Sequence, residues 1–422
     1  MDRETIRRII IEGQEYIGEI PLNERPFLFE KNGNYVFVGI RQAGKSYLLY
    51  QRIQQLIREG HQMGEIVYIN FDDERLRQMN ADDFELIQQA YASMFELRPI
   101  FFFDEIQNIE GWENFVRRLV NQKYQVYVTG SNAKMLSREI ATTLGGRFWN
   151  ATVYPYSFSE YLQAIGVTLS KNWEYGKQSI EVSKQFNTYF LFGGFPELTD
   201  IVAKRMWLND IYSKIFFSDL VVRNKVRNED ALGLLVKRLA EGVKQPVSHT
   251  RLANLISSAG IKISKSTIID FIRYLRESCL LFPVENYAAK FAERSSNQKY
   301  YFIDNGLLNI FLTDGNTSLL ENIVAIHLYK CFGEQLYFYN QNIEVDFLLP
   351  EQRIGYQVSY SLKEESTYHR EVDALIKLNA AFPLKRMYII TRDEEQTITT
   401  ESGLTIEVVP VWKWLLQELR SE

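Results

Sequence analysis

The stretch Tyr35–Tyr50, Tyr-Val-Phe-Val-Gly-Ile-Arg-Gln-Ala-Gly-Lys-Ser-Tyr-Leu-Leu-Tyr, constrains this chain more than any other. Tyr35–Val38 is short, β-branched and aromatic, the pattern of a buried strand. Gly39 to Ser46 then fills every fixed position of G-x-x-x-x-G-K-[ST], and Tyr47 to Arg58 reads as a helix. The spacing has a physical reason. Gly39 and Gly44 let the backbone turn so tightly that successive N–H groups point inward as an anion nest. A helix starting near Lys45 adds its positive end. Lys45 then reaches the β- and γ-phosphates of a nucleotide, and the Ser46 hydroxyl is placed to ligate Mg²⁺. The residues expected to hold ATP are Gly39, Arg41, Gln42, Ala43, Gly44, Lys45, Ser46 and Tyr47.

Further acids and polar groups follow at strand ends. Glu65–Phe71 reads as a second core strand and residues 81–97 as a helix. Pro99-Ile-Phe-Phe-Phe then runs into Asp104-Glu105, a buried strand with two carboxylates at its tip. After a phosphate loop this is the Walker B pattern. Asp104 would hold Mg²⁺ through water, and Glu105 would act as general base on the attacking water. Trp112–Asn121 reads as a helix and Gln125–Val128 as a strand closing on Thr129-Gly130-Ser131-Asn132. Ser131 and Asn132 are the sensor candidates beside the γ-phosphate, with a plain strand-end turn as the alternative. Arg147, after Gly145-Gly146, is either a solvated loop residue or the arginine that neutralises γ-phosphate charge, in cis or from a neighbouring subunit. Alternating helices and strands with polar tips imply a parallel sheet with its site at the carboxyl edge.

At 422 residues the chain is too long for one core, so two to four domains are expected. A net charge of −5 gives no global reason to bind nucleic acid. Cys279 and Cys331 are the only cysteines, too few for a disulfide framework or a cysteine-built metal site. The N-terminus lacks a signal-peptide layout, and no apolar run is long enough for a bilayer. These readings lead us to expect a cytoplasmic protein with no membrane contact.

The combination of Gly39–Ser46, Phe103-Asp104-Glu105-Ile106-Gln107, Thr129-Gly130-Ser131 and Gly146-Arg147 resembles the AAA+-like ATPases of bacteria and archaea, most of all the group called archaeal-type ATPases. Tyr154-Pro155-Tyr156-Ser157-Phe158-Ser159-Glu160-Tyr161 and Phe192-Gly193-Gly194-Phe195-Pro196 fit the same group more particularly. The resemblance implies an ATPase core at 1–165, a helical lid at 166–228, a winged helix at 229–303 and a restriction-endonuclease-like α/β domain at 304–422.

The residues bear on each part. Ser183–Phe192 and Arg205–Leu220 read as lid helices, with Gly193–Pro196 the break between them. Ala231–Gly242, Thr250–Ser258 and Ser264–Glu277 read as three helices, and Leu280–Val284 with Tyr300–Ile303 as the strands of a wing. The third helix offers Lys265, Ser266 and Thr267 toward a DNA groove; the alternative is a nucleotide lid or interdomain contact. Basic residues from Lys204 to Arg238 are mixed with acids, so a solvated face is preferred there.

In the last domain, Glu321–Lys330 and Thr367–Ala380 read as helices among strands Gln335–Asn340, Val345–Leu349, Ile354–Tyr360, Arg386–Ile390 and Val408–Val411. This alternation resembles the PD-(D/E)xK nuclease core. Asp346 matches its first acid and Glu321 its helix acid, but Gln357 and Ser359 stand where the second acid and the lysine belong. A neutral amide is a weak Mg²⁺ ligand and serine has no ammonium. Lys363 is close enough in sequence to be a migrated substitute. The domain is therefore expected to keep the fold and to have lost cleavage, serving as a docking or regulatory unit. The leading function is a Mg²⁺-dependent ATPase that moves its winged-helix and C-terminal domains. The rivals are a nucleotide-gated module gripping DNA or a protein, and an active nuclease. A homo-oligomer would decide whether Arg147 acts in trans.

Overall fold

The computed structural model describes residues 2–136, 138–401 and 403–417. They form two compact units: Met1–Tyr154 with Glu277–Cys279, and Pro155–Arg276 with Leu280–Glu422.

The first unit alternates helix and strand. Asp2 caps α1 (Arg3–Glu19) by accepting the Thr5 amide at 2.8 Å. There follow β1 (Asn34–Val38), α2 (Lys45–Arg58), β2 (Ile66–Asn70), α3 (Phe84–Ala92), β3 (Ile100–Asp104), α4 (Trp112–Asn121), β4 (Gln125–Gly130), α5 (Arg138–Thr143) and β5 (Phe148–Thr152). The strands make one parallel sheet in the order β2-β3-β4-β1-β5. Period-two alternation sorts its side chains between two covered faces. Val36, Val38, Phe101, Phe103, Val126 and Val128 share a core with residues of α1, α3 and α4. On the other face Tyr35 stacks on Tyr127 at 5.7 Å and Phe102 on Tyr127 at 4.6 Å. Helix α2 covers those rings, its buried Arg52 donating to the Tyr127 hydroxyl at 3.0 Å.

The register aligns the strand tips. Val38 lies opposite both Gly130 and Thr152, and Asn70 opposite Asp104, so the tips of β1, β3 and β4 share one rim. The helix expected over 81–97 is shorter: a single turn at Ala81–Asp83 leads into α3, which ends at Ala92. There the Ser93 hydroxyl donates to the Ala90 carbonyl at 2.6 Å and competes with another helical turn.

The second unit opens at Pro155 rather than after residue 165. Its helices are α6 (Phe158–Ala164), α7 (Lys177–Phe192), α8 (Lys204–Lys214), which widens into a π-helical stretch at Ile215–Val222, and α9 (Glu229–Glu241). Then come β6 (Val247–Ser248), α10 (His249–Ser258), α11 (Lys265–Glu277), β7 (Leu281–Asn286), α12 (Phe291–Arg294), β8 (Asn297–Phe302), α13 (Asn305–Asn309) and α14 (Asn316–Phe332). The chain ends through β9 (Tyr337–Asn340), β10 (Glu344–Leu349), β11 (Ile354–Val358), α15 (Glu365–Ala381), β12 (Arg386–Thr391), β13 (Gln396–Thr399), β14 (Thr405–Pro410) and α16 (Val411–Trp414).

The sheet corrects the boundary expected at 303/304. Strand β7 pairs parallel with β9, so the strands expected to form a wing and the C-terminal strands lie in one nine-stranded sheet, β13-β14-β12-β11-β10-β9-β7-β8-β6. The two more particular motifs are structural joints of this unit. Ser157 and Glu160 form a capping box on α6, and Glu160 pairs with Lys330 at 2.9 Å. Gly193 ends α7 at a φ of +75°, where any side chain would collide with the Asp304 carboxylate. The Gly194 amide donates to Asp304 at 2.8 Å, while Asn305 and Asn309 donate to the last carbonyls of α7, Phe190 and Leu191, at 3.0 and 2.9 Å. Among the described residues, no helix is long and apolar enough to cross a membrane.

Candidate nucleotide site

The loop from Gly39 to Gly44 is shaped by contacts on both sides. Gly39 packs so closely on the strand-end after β5 that a Cβ would collide with the Val153 carbonyl. Gln42 and Gly44 take left-handed backbone, at φ of 62° and 93°, which turns the chain into α2. From outside the motif, Arg25 donates to the Ala43 carbonyl at 3.2 Å and to the Tyr154 carbonyl at 3.0 Å, bracing the loop. Nothing in the sequence pattern pointed to Arg25.

Lys45 is buried at the start of α2, its ammonium donating to the Gly39 and Ile40 carbonyls at 3.2 Å. It also stands 3.3 Å from Glu105 Oε1. Asp104 is fully buried at the tip of β3, where it accepts from the Tyr68 hydroxyl at 2.8 Å and from the hydroxyls of Thr129 and Ser46. Burial raises its pKa, and the neighbouring Glu105 charge adds to the rise against those hydrogen bonds.

Glu105 occupies left-handed backbone at a φ of 51°, unusual for a residue with a side chain. The Thr129 hydroxyl accepts its amide at 2.9 Å, so one side chain on β4 anchors both acids. Gln107 donates to Glu105 Oε2 at 2.6 Å. Burial would raise Glu105 as well, but the Lys45 ammonium, the Gln107 amide, the Arg41 charge and the Ser131 hydroxyl outweigh it and hold the carboxyl at about 2. Gly130 leaves room for Gln107, since a Cβ there would collide with its side-chain oxygen. The Ser46 hydroxyl and the Asp104 carboxylate are the hard oxygen donors that magnesium takes, and they already touch each other.

Residues 31–162 match the AAA domain family, and residues 183–318 match a domain of unknown function, DUF8612. An uncharacterized protein of Methanocaldococcus jannaschii is 33% identical over 396 residues, spanning 90% of this chain and 88% of that protein. An uncharacterized protein of Haemophilus influenzae is 31% identical over 393 residues, spanning 90% and 94%. This chain belongs to their family of AAA-domain proteins. Among solved structures it is similar to the Walker-type ATPase PABY2304 of Pyrococcus abyssi, at 14% identity, covering 74% of this chain and 95% of that one, with a TM-score of 0.38. The AAA domain of this chain is built on a five-stranded parallel sheet with a phosphate-loop motif at Gly39–Ser46.

Within the AAA domain, the structure brings Gly39, Gly44, Lys45, Ser46, Asp104, Glu105 and Ser131 to one rim. Arg41 lies near it, 4.0 Å from Asp72, and Tyr47 is half exposed against the Tyr50 ring. Asn132 turns away, its side chain accepting the Lys134 amide at 2.8 Å. Arg147 corrects the cis reading. It precedes β5, whose Phe148 pairs with Asn34 at the start of β1, so it sits at the amino edge of the sheet. A strand's length, about 13 Å for four residue steps, separates that edge from the loop. Its guanidinium is exposed and donates to Asn121. Thr129, Tyr68 and Gln107 were missed as site residues, although Thr129 and Gln107 lie inside the quoted motifs.

The acids Asp346 and Glu321, expected of a nuclease-like core, meet elsewhere, in a cavity of about 550 Å³ in the second unit lined by Lys244, Glu321, Glu344, Asp346, Arg370 and Glu371 among others. Lys363 is exposed and does not line it, which corrects the migrated-lysine expectation. The lysine that reaches these acids is Lys299, from β8.

Proposed function

We propose that the protein binds ATP·Mg²⁺ on Gly39–Tyr47 and hydrolyses it with Glu105 as general base. The observation that carries this reading is the Lys45–Glu105 pair at 3.3 Å, its lysine buried, directly beside an Asp104 already bonded to Ser46. Bound there, magnesium supplies the positive charge that offsets the phosphates. Lys45 turns from the Gly39 and Ile40 carbonyls toward the β- and γ-phosphates. Glu105, held near 2 while Lys45 is beside it, loses its main stabilising neighbour and becomes a stronger base. Ser131 and Gln107 keep its carboxylate oriented toward the attacking water. Arg147 completes a neighbouring subunit's site in a homo-oligomer, because its place at the amino edge suits reach outward better than reach across its own sheet. The nucleotide state is coupled to the winged-helix-like and C-terminal parts of the second unit.

Calorimetry and phosphate release test this together. Lys45→Ala should abolish ATP binding, and Glu105→Gln should bind ATP and not turn it over. Normal hydrolysis by Glu105→Gln would remove Glu105 from the role of base.

A second reading is a nucleotide-gated module that grips DNA or a protein with little turnover. It is favoured by α11, which exposes Lys265, Ser266, Arg273 and Arg276 along one helix. A gel shift that weakens with salt and depends on ATP supports DNA; a shift indifferent to salt excludes phosphate-driven binding.

A further inference from the structure

The resemblance to nucleases implies a divalent metal between Asp346 and a second acid, and the residues present do not fit one. Lys299 Nζ, fully buried, stands 3.3 Å from Glu321, 3.3 Å from Glu344 and 3.4 Å from Asp346. Three carboxylates from α14 and β10 thus converge on an ammonium delivered by a wing strand. Among the described residues, no three His, Cys, Asp or Glu side chains are arranged to hold a metal ion.

Further donors hold two of these acids. The Tyr301 hydroxyl donates to Glu321 at 2.7 Å and the Val358 amide to the second Asp346 oxygen at 2.9 Å. Glu371, the next acid around the cavity, is held by Gln357 at 2.7 Å and by Arg370 at 2.6 Å. Gln357 uses both ends of its amide, accepting from the Asp346 N–H at 2.8 Å while donating to Glu371. A carboxylate at 357 would confront Glu371 instead of bonding to it, so the amide is the residue this arrangement requires.

We infer that the Lys299 ammonium is the resident cation of this nuclease-like pocket, standing where the fold's metal would lie, and that the C-terminal domain acts without a divalent ion. Because Lys299 belongs to β8 and its partners to α14 and β10, the same charge ties the wing strands to the C-terminal domain.

Mn²⁺ binding to the nucleotide-free full chain, counted by paramagnetic resonance, tests the inference. Wild type and Asp346→Asn should bind the same number of ions, since any ion at the phosphate loop is common to both. Loss of one ion in Asp346→Asn overturns it. Lys299→Met, checked for native circular dichroism, should gain one ion that Lys299→Met with Asp346→Asn loses; a folded Lys299→Met that gains none also overturns it. Should Lys299→Met not fold, the comparison of wild type with Asp346→Asn decides alone.

Discussion

The Thr129 hydroxyl accepts the backbone amide of Glu105 at 2.9 Å. The same hydroxyl donates to Asp104, so the strained left-handed turn at Glu105 and the buried carboxylate before it hang from one oxygen on β4. Thr129→Val keeps the shape and removes the oxygen. Hydrogen bonds to charged groups contribute about 1.5–3 kcal/mol. ATP turnover should therefore fall about 10- to 100-fold, with ATP affinity changed much less. Phosphate release at saturating ATP, beside calorimetric binding, reads the two separately. Equal losses in both would mean that Thr129 supports the whole pocket rather than the placement of Glu105.

The phosphate loop and the two acids were legible because each is encoded in contiguous residues whose spacing follows from backbone geometry. Thr129 was in view but read as part of a turn, since its role depends on β4 lying beside β3, a pairing that local pattern does not encode. Arg25 and Lys299 were invisible for the same reason. Each acts across a long sequence separation, Arg25 on Tyr154 and Lys299 on Asp346. The boundary at 303/304 failed because the helices and strands of a wing were seen without the β7–β9 pairing that fuses them to the next sheet.

Arg25 leads to a second expectation. It donates to the carbonyls of Ala43 and Tyr154, fixing the loop against the segment after β5. Arg25→Met keeps much of the aliphatic stem and loses both bonds. With part of their strength felt at the nucleotide, ATP should bind about tenfold more weakly. The comparison is calorimetric, and unchanged affinity would show that the loop holds its form without this brace.

Arg147 yields a prediction about assembly. An arginine at the amino edge can meet a γ-phosphate only on another copy of the chain. Arg147→Ala should then lower turnover by roughly a thousandfold, the low end for such arginines, and leave ATP affinity intact. Mixed with Lys45→Ala, it should recover activity, because each variant supplies what the other lacks. Light scattering with and without ATP gives the particle mass, and a strict monomer with full activity would remove Arg147 from the reaction.

The pH dependence of stability should carry the mark of Asp304. This carboxylate is buried, and burial lifts its pKa from 3.8 to about 6 although the amides of Gly194, Leu307 and Gly306 pull it down. A carboxyl raised by folding keeps a proton that the unfolded chain has released, so the folded state binds more protons between those values. Stability must therefore fall as pH rises from about 4 to about 6 and level off above. Glu321, lifted to about 7 by burial, gives a slope of the same sign at somewhat higher pH, so wild type alone cannot isolate either group. Asp304→Asn does. It removes the titration, and it also turns an N–H donor toward the Gly194 amide or toward Gly306. The variant should be less stable than wild type at every pH, with the gap narrowing as pH rises from 4 to 6. Urea unfolding at several pH values measures that gap. A gap independent of pH would mean that Asp304 keeps an ordinary pKa in the fold and joins α7 to α13 through hydrogen bonding alone.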